Sequence, residues 1–475
     1  MGVSALRWIC GAGFALLTVG CGGDDSGEAT NDTSCSGVAG CEATDTGSTT
    51  PSTPTGVATD SPETTPTGAD TAVATDTAGT STSSREDTTG ESTGGATGDT
   101  TAGTTGAEGC DQDGELDPTC VERDSATPIC APGGVCVACT AHVQCPGTAC
   151  HLDALDPLSG SCFDPTEALW IDNQAACPGL GTELAPYCSL ADTAALLGPG
   201  DVRVLRILGG QPYAERATFD GDLTVALIGV GDPVIEGNPA QQSATLSFDN
   251  GATAYAAGLH LDGNALSHGM LCNSSSVRLE NSSIIGNAGW GGFGFEPCTL
   301  DLRRAVLVGN EDGGLRLAGG ALALTNSTVG LNGVGGNSSG LRIEDGQVDI
   351  LYSTVAGNNG AGADSLECSN AVGSIRNSIV QGADVLSIEL DCFPLVMENN
   401  GLDSANFASG SNIEVSPYAA ATFVDPAAGD FRLAAPRLSP FGDVAQWVAG
   451  DPELDADGTP RPMGGASGYA GIDEP

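Results

Sequence analysis

Side chains that could do chemistry are few and concentrated. His260 with Asp262 would make an acid–base pair, although an isolated pair without a nucleophile specifies no reaction. Asp301, Arg303 and Arg304, followed by Glu311 and Asp312, gather carboxylates and guanidiniums, with Arg278 and Glu280 expected in the row before them. Opposite charges so placed would most simply pair with one another as a ladder on a solvated sheet. Trp290 lies in a glycine-rich stretch, expected as a loop, where an indole could stack on a sugar ring. Phe293 and Phe295 share the apolar phase there and are expected in the core. Asp111-Gln-Asp113-Gly and Asp455-Ala-Asp457-Gly share a D-x-D-G core that could offer oxygens to calcium, but neither continues as an EF-hand loop. Gly336-Asn-Ser338-Ser-Gly340 spells G-x-S-x-G, whose mechanism needs a strand-to-helix elbow; here the match falls in a turn.

The elements that must hold these residues are set by a repeat. Asn238, Asn264, Asn287, Asn310, Asn332 and Asn358 recur at separations of 26, 23, 23, 22 and 26, each closing a short apolar run. Such a period, built on short strands, suits a stacked parallel β-helix. Aligning on the asparagines exposes two alternating strands per coil. One begins with glycine (Gly269-Met-Leu-Cys272, Gly292-Phe-Gly-Phe295, Gly314-Leu-Arg-Leu317, Gly340-Leu-Arg-Ile343), and the other is of the type Val277-Arg-Leu279. Stacking would place the asparagines in a hydrogen-bonded ladder. Roughly ten coils of 22–26 residues are expected, a rod near 50 Å long at about 4.8 Å per coil.

Ser282, Ser327, Ser353 and Ser378 occupy equivalent places in their coils. A nucleophile does not recur in a column, so these are structural. Cys272 to Cys298 and Cys368 to Cys392 are each one coil apart and are expected to staple adjacent coils. Cys177 is expected to pair with Cys188, and Cys35 with Cys41. Ser189 would cap a short helix, Leu190 to Leu197, that shields the first strand edge.

Five segments follow: 1–20 as a lipoprotein signal peptide, 21–108 as a disordered stalk, 109–165 as a cysteine-rich module, 168–445 as the β-helix and 446–475 as a C-terminal cap. The apolar run from Trp8 to Val19 is too short to span a membrane. It ends in Thr18-Val19-Gly20-Cys21, which resembles a bacterial lipobox and implies acylation of Cys21. The stalk is rich in Thr, Ser, Gly, Ala, Asp and Glu and lacks the apolar surface to fold. Export makes disulfides the default for the eight cysteines from Cys110 to Cys162, whose connectivity the spacing leaves open. Cys136-Val-Ala-Cys139, with His142 and His151 nearby, has zinc-ligand spacing as an alternative. All 15 basic residues are arginines and the net charge is −46. That field repels nucleic acid, and the lack of lysine removes Schiff-base and lysine-base chemistry.

Ala-Cys177-Pro-Gly, Pro186-Tyr-Cys188-Ser-Leu, Gly200-Asp-Val and Val234-Ile-Glu-Gly resemble the opening of right-handed parallel β-helix proteins of the pectate-lyase-like class. The tail, Asp455-Ala-Asp457-Gly-Thr-Pro-Arg461-Pro to Tyr469-Ala-Gly-Ile-Asp473-Glu474, resembles the end of bacterial surface β-helices of the choice-of-anchor kind. The resemblance implies an all-β fold. For lyases of that class it directs attention to acids that bind calcium beside an arginine base, here the Asp301–Arg304 face. The polygalacturonase pattern is incomplete, because Ser267 precedes His268-Gly269 and no lysine exists. The expectation is a monomeric, non-catalytic lipoprotein of the bacterial envelope, at the outer membrane or cell surface. Cys21 would anchor it, and its rod would present a binding face, for glycans among other ligands, without a cofactor unless calcium binds. The alternative is a tethered polysaccharide lyase or glycoside hydrolase acting at the outer face.

Overall fold

The computed structural model describes residue 110 and residues 114–474, apart from 133, 153–157, 296, 335–338, 359–364, 383–391, 404–405, 408, 416–417 and 435–439. Cys21, Cys35, Cys41, Asp111, Asp113, the stalk and Gly336–Ser338 lie outside the described residues.

The chain winds as a parallel β-helix of about eight turns. Each turn contributes to three columns of strands, as in Met270–Asn273, Ser276–Glu280 and Ser283–Ile285. The third column is the short apolar run that closes each repeat, and it stacks into a nine-stranded sheet. Every strand pairs in parallel with its counterpart one turn away, so side chains alternate between a shared interior and three outer faces. Leu261, Ile284, Leu307 and Val329 stack at zero exposure along the inside of the third column, and Leu300, Leu302, Leu315 and Leu317 line the other two.

The ladder forms over five of the six asparagines. Asn264, Asn287, Asn310, Asn332 and Asn358 are at most 1% exposed. The Nδ2 of Asn287, Asn310 and Asn332 donates to the Oδ1 of the next asparagine at 2.8, 2.9 and 3.0 Å. Each Oδ1 from Asn287 on also accepts the backbone N–H of the preceding asparagine. Asn238 does not join; its Oδ1 accepts from the Ala240 N–H in a local turn. The serines form a second column. The hydroxyls of Ser282, Ser327, Ser353 and Ser378 accept backbone N–H groups of the coil below, and Asn400 and Asn412 continue the row.

Cys272–Cys298 and Cys368–Cys392 bridge as the repeat requires, and Cys177–Cys188 forms. The module is closed by Cys110–Cys130, Cys120–Cys136, Cys139–Cys150 and Cys145–Cys162. These bridges occupy Cys136 and Cys139 and remove the zinc alternative. The capping helix is Leu190–Ala194, shorter than expected. Ser189 accepts from the Asp192 N–H, and the Glu215 carboxylate takes the first two helical N–H groups.

Two expectations about the coils need correction. The last parallel rung is Ile413–Glu414, so coils stop short of residue 445 and about eight replace ten. Pro426 and Pro440 withhold ladder donors in the segment that follows. That segment turns back in two antiparallel pairs, Phe423–Asp425 with Asp430–Leu433 and Ala445–Gln446 with Ser467–Gly468. Its apolar side chains pack on the outer face of the third column; a β-carbon on Gly330 would overlap the Phe431 ring. Arg376 closes on Asp451, and Asn326 on the Leu454 carbonyl.

The second correction is a register slip of one residue. Gly269 aligns with Gly291 rather than Gly292, because Met270 pairs with Gly292 and Leu271 with Phe293. A slip of one turns every side chain to the other face. Gly292 and Gly294 therefore face inward, where the Cys272–Cys298 bridge fills the space, and Phe293 and Phe295 face outward. The cysteine-rich segment packs on the β-helix. Ala149 and Phe163 cover Val204, Ala226 and Tyr255 on the outer face of the second column. Tyr255 is left only 2% exposed.

Candidate functional site

The second column brings the Asp301 group together as expected. Register places Arg278 opposite Asp301 and Glu280 opposite Arg303. Arg303 binds Asp301 at 2.9 Å, Arg278 lies 3.8 Å from Asp301 and 3.9 Å from Glu280, and Arg304 closes on Glu280. Arg304 sits at the corner with φ 49°, held by Asn281 Oδ1 at 2.6 Å. Burial lowers the Arg278 guanidinium below the usual arginine value, and nearby Arg303 adds to this. Arg278 also donates to the Leu152 carbonyl of the covering module. A lyase base would have to be a deprotonated arginine beside an open calcium site. Here each guanidinium meets a carboxylate, and the module closes part of the face. Glu311 and Asp312 do not belong to this cluster. They are exposed beyond the third column, where Asp312 acts on His268.

His260 and Asp262 share an outer face on the third column, joined through a residue of the next coil that the sequence does not single out. Ser283 lies one coil on, with Oγ 2.8 Å from His260 Nδ1 and 3.4 Å from Asp262 Oδ1. The order is carboxylate, serine, imidazole. A serine triad needs the imidazole in the middle, so this relay does not activate Ser283. Burial lifts the Asp262 carboxyl above the usual carboxylate range, while His260 and Ser283 act the other way and Glu236 adds to the rise.

Trp290 is not in a loop. It opens the strand Trp290–Phe295, is 6% exposed, and packs where a β-carbon on Gly313 would overlap its ring. An indole so enclosed offers no face to a sugar. The open aromatic surface is its neighbour. Phe293 lies edge-on to Phe295 at 4.9 Å and to His268 at 5.2 Å, and Arg316 sits 5.2 Å from the Phe293 ring centre. Arg316 and Arg342 follow Phe293 on successive rungs, tied to Glu344 and Glu367. The arginines hold the Glu344 carboxyl below its ordinary value, although its burial pulls upward. Burial also lowers His268, whose Nδ1 accepts the Trp290 N–H. The signal that could have found this strip was the F-G-F alternation, had the glycines been read as the inward phase.

In the tail, oxygens of Asp455, Asp457 and Asp473 lie within 4.8 Å of one another, so Asp473 joins the two acids read from sequence. The carboxylate of Asp455 is already committed: Oδ1 accepts from the Asp457 and Thr459 N–H groups and Oδ2 from the Glu474 N–H. Those bonds account for the turn without an ion.

No family model matches the chain, and no curated protein matches it. Among solved structures the fold is similar to that in "Crystal structure of pectate lyase Pel9A", with 14% identity, a TM-score of 0.34, and coverage of 64% of this chain and 96% of that chain.

Proposed function

We propose that the protein is a non-catalytic lipoprotein of the bacterial envelope, anchored through Cys21, whose rod presents a glycan-binding face. One observation carries the reading: Phe293 and Phe295 point outward on the first column, beside Arg316 and Arg342. Among the described contacts, module and tail pack on the second and third columns. Aromatic edges with flanking guanidiniums suit the apolar face and hydroxyls of a sugar. Arrayed at one strand spacing, they suit an extended chain lying across the coils.

A tethered polysaccharide lyase or hydrolase is the second reading, supported by Asp262. Its raised carboxyl is the kind that serves as a general acid, and Glu236 is the neighbouring carboxylate. Incubating the intact protein with a panel of polysaccharides, with and without calcium, separates the two. The binding reading expects retention on a glycan without new reducing or unsaturated ends, and affinity about tenfold weaker for Phe293→Ala. Product formation that disappears in Asp262→Asn would overturn it.

A further inference from the structure

Between the cysteine-rich module and the second column lies a cleft of about 580 Å³, separate from the Phe293 face. Its floor is one outward row of the sheet, with Arg206, Ile228, Ala257 and Glu280 on successive rungs. At about 4.8 Å per rung, that row is about 14 Å long. Ala141, Val143 and Pro146 of the module form an apolar opposite wall, on which Val143 stays 81% exposed. Volume and lining are those of a small-molecule site: largely apolar, with a few fixed polar groups.

The two ends of the floor differ. Glu280, at one end, is already paired with Arg304. Arg206, at the other, lies 4.9 Å from the centre of the Trp170 ring, and its Nε is buried with no hydrogen-bond partner. No described carboxylate comes within ion-pair distance of it, whereas Arg303, Arg316, Arg376 and Arg432 each meet one. Arg216 also lacks an ion-paired carboxylate, but its guanidinium donates to the Ser243 and Thr218 hydroxyls, whereas the Arg206 Nε has no such partner. A buried donor left unmet is costly, and the Trp170 face offsets part of that cost. Burial accordingly pushes Arg206 below the ordinary arginine value, with distant Glu183 opposing.

We propose that this cleft binds a small organic monocarboxylate with an apolar body. The carboxylate accepts from the Arg206 fork, whose plane Trp170 fixes, and the apolar body lies along Ile228 and Ala257 beneath Val143 and Pro146. A single charge is favoured over a polyanion because the net charge of −46 repels each further carboxylate.

The test titrates the full chain, disulfides intact, with octanoate and with octanamide as its neutral counterpart, by calorimetry and tryptophan fluorescence. Octanoate should bind saturably and perturb a fluorescence signal that Trp170→Phe removes. Octanamide should bind at least about tenfold more weakly, and Arg206→Met should cost octanoate at least about tenfold. Arg206→Lys keeps the charge but loses the fork, so it should fall between the two, which serves if the methionine variant does not fold. Arg216→Gln, outside the cleft, should change nothing, and neither should Phe293→Ala, so this site and the glycan face fail independently. Equal affinity for octanamide, an unaffected Arg206→Met protein, or no saturation by about 10 mM octanoate overturns the proposal.

Discussion

Between Asn264 and Asn358 each coil repeats the same buried contacts, whereas the module and the tail that cover the coils share no pattern with each other. Inside the coils, stability comes from columns. An asparagine amide bonds the next amide, and a serine hydroxyl bonds the next backbone, so each residue serves two rungs. The coverings are held by single, unlike contacts: Phe163 against Tyr255, Phe431 over Gly330, Arg376 with Asp451. Columns leave their members no freedom for chemistry. Coverings decide which outer faces stay open, and function is to be sought on the first column, which no described covering packs against, and at the edge of the module.

The largest expected effect breaks a column. Asn310→Ala removes an acceptor for the Asn287 amide and backbone N–H, and a donor to the Ile284 carbonyl and to Asn332. All are buried, and each unsatisfied group costs about 1–3 kcal/mol, so a loss of roughly 3–5 kcal/mol is expected in urea denaturation. A loss below about 1 kcal/mol would mean that the ladder is a by-product of stacking rather than a cause.

A smaller effect separates the two coverings by pH. In the module, burial lowers His142 to about 4, assisted by Arg278 and His151, and its Nδ1 accepts the Cys150 N–H. The unfolded chain binds that proton more readily, so module stability is intact above about pH 6.5 and is lost as pH falls toward about 4. In the tail, burial raises Asp455, Asp473 and Glu474. Their stabilisation is fully present below the unfolded carboxylate range and is lost as pH rises through the raised values. Asp430 and Asp457 shift down and oppose this, but both are more open to solvent. Hydrogen exchange at about pH 4.5 and about pH 7.5, corrected for intrinsic rates, should show Cys150 less protected in acid and Leu433 and Glu474 more protected. Both regions moving the same way would contradict the assignment.

The difference between coils and coverings also decides what could be read from sequence. The columns were legible because a period announces them. The asparagines, the serines and the two stapling bridges all followed from spacing. The coverings have no period, so nothing in the sequence said that Phe163 would lie on Tyr255 or that the chain after Glu414 would double back. Phe293 and Phe295 were misplaced for a narrower reason. Where a disulfide fills the interior, glycine takes the inward positions, and the usual equation of large apolar with inside reverses. Ser283 was missed as the link between His260 and Asp262 because it sits one rung away rather than in their own strand.

The smallest expected effect tests whether sequence period or burial defines the ladder. Asn238 has the spacing of its five counterparts but stands where the coil opens into the loop ahead of Leu246. It is partly exposed, its Oδ1 serves a turn two residues long, and Asn264 donates instead to Ser243, Thr245 and His268. Asn238→Ala should therefore cost no more than about 0.5 kcal/mol in the same urea experiment, the usual scale for a surface change. A cost near that of Asn310→Ala would place Asn238 in the column after all and move the start of the ladder one coil toward the N-terminus. A small cost would mean that an asparagine contributes here only when both its neighbours along the axis are asparagines or buried backbone.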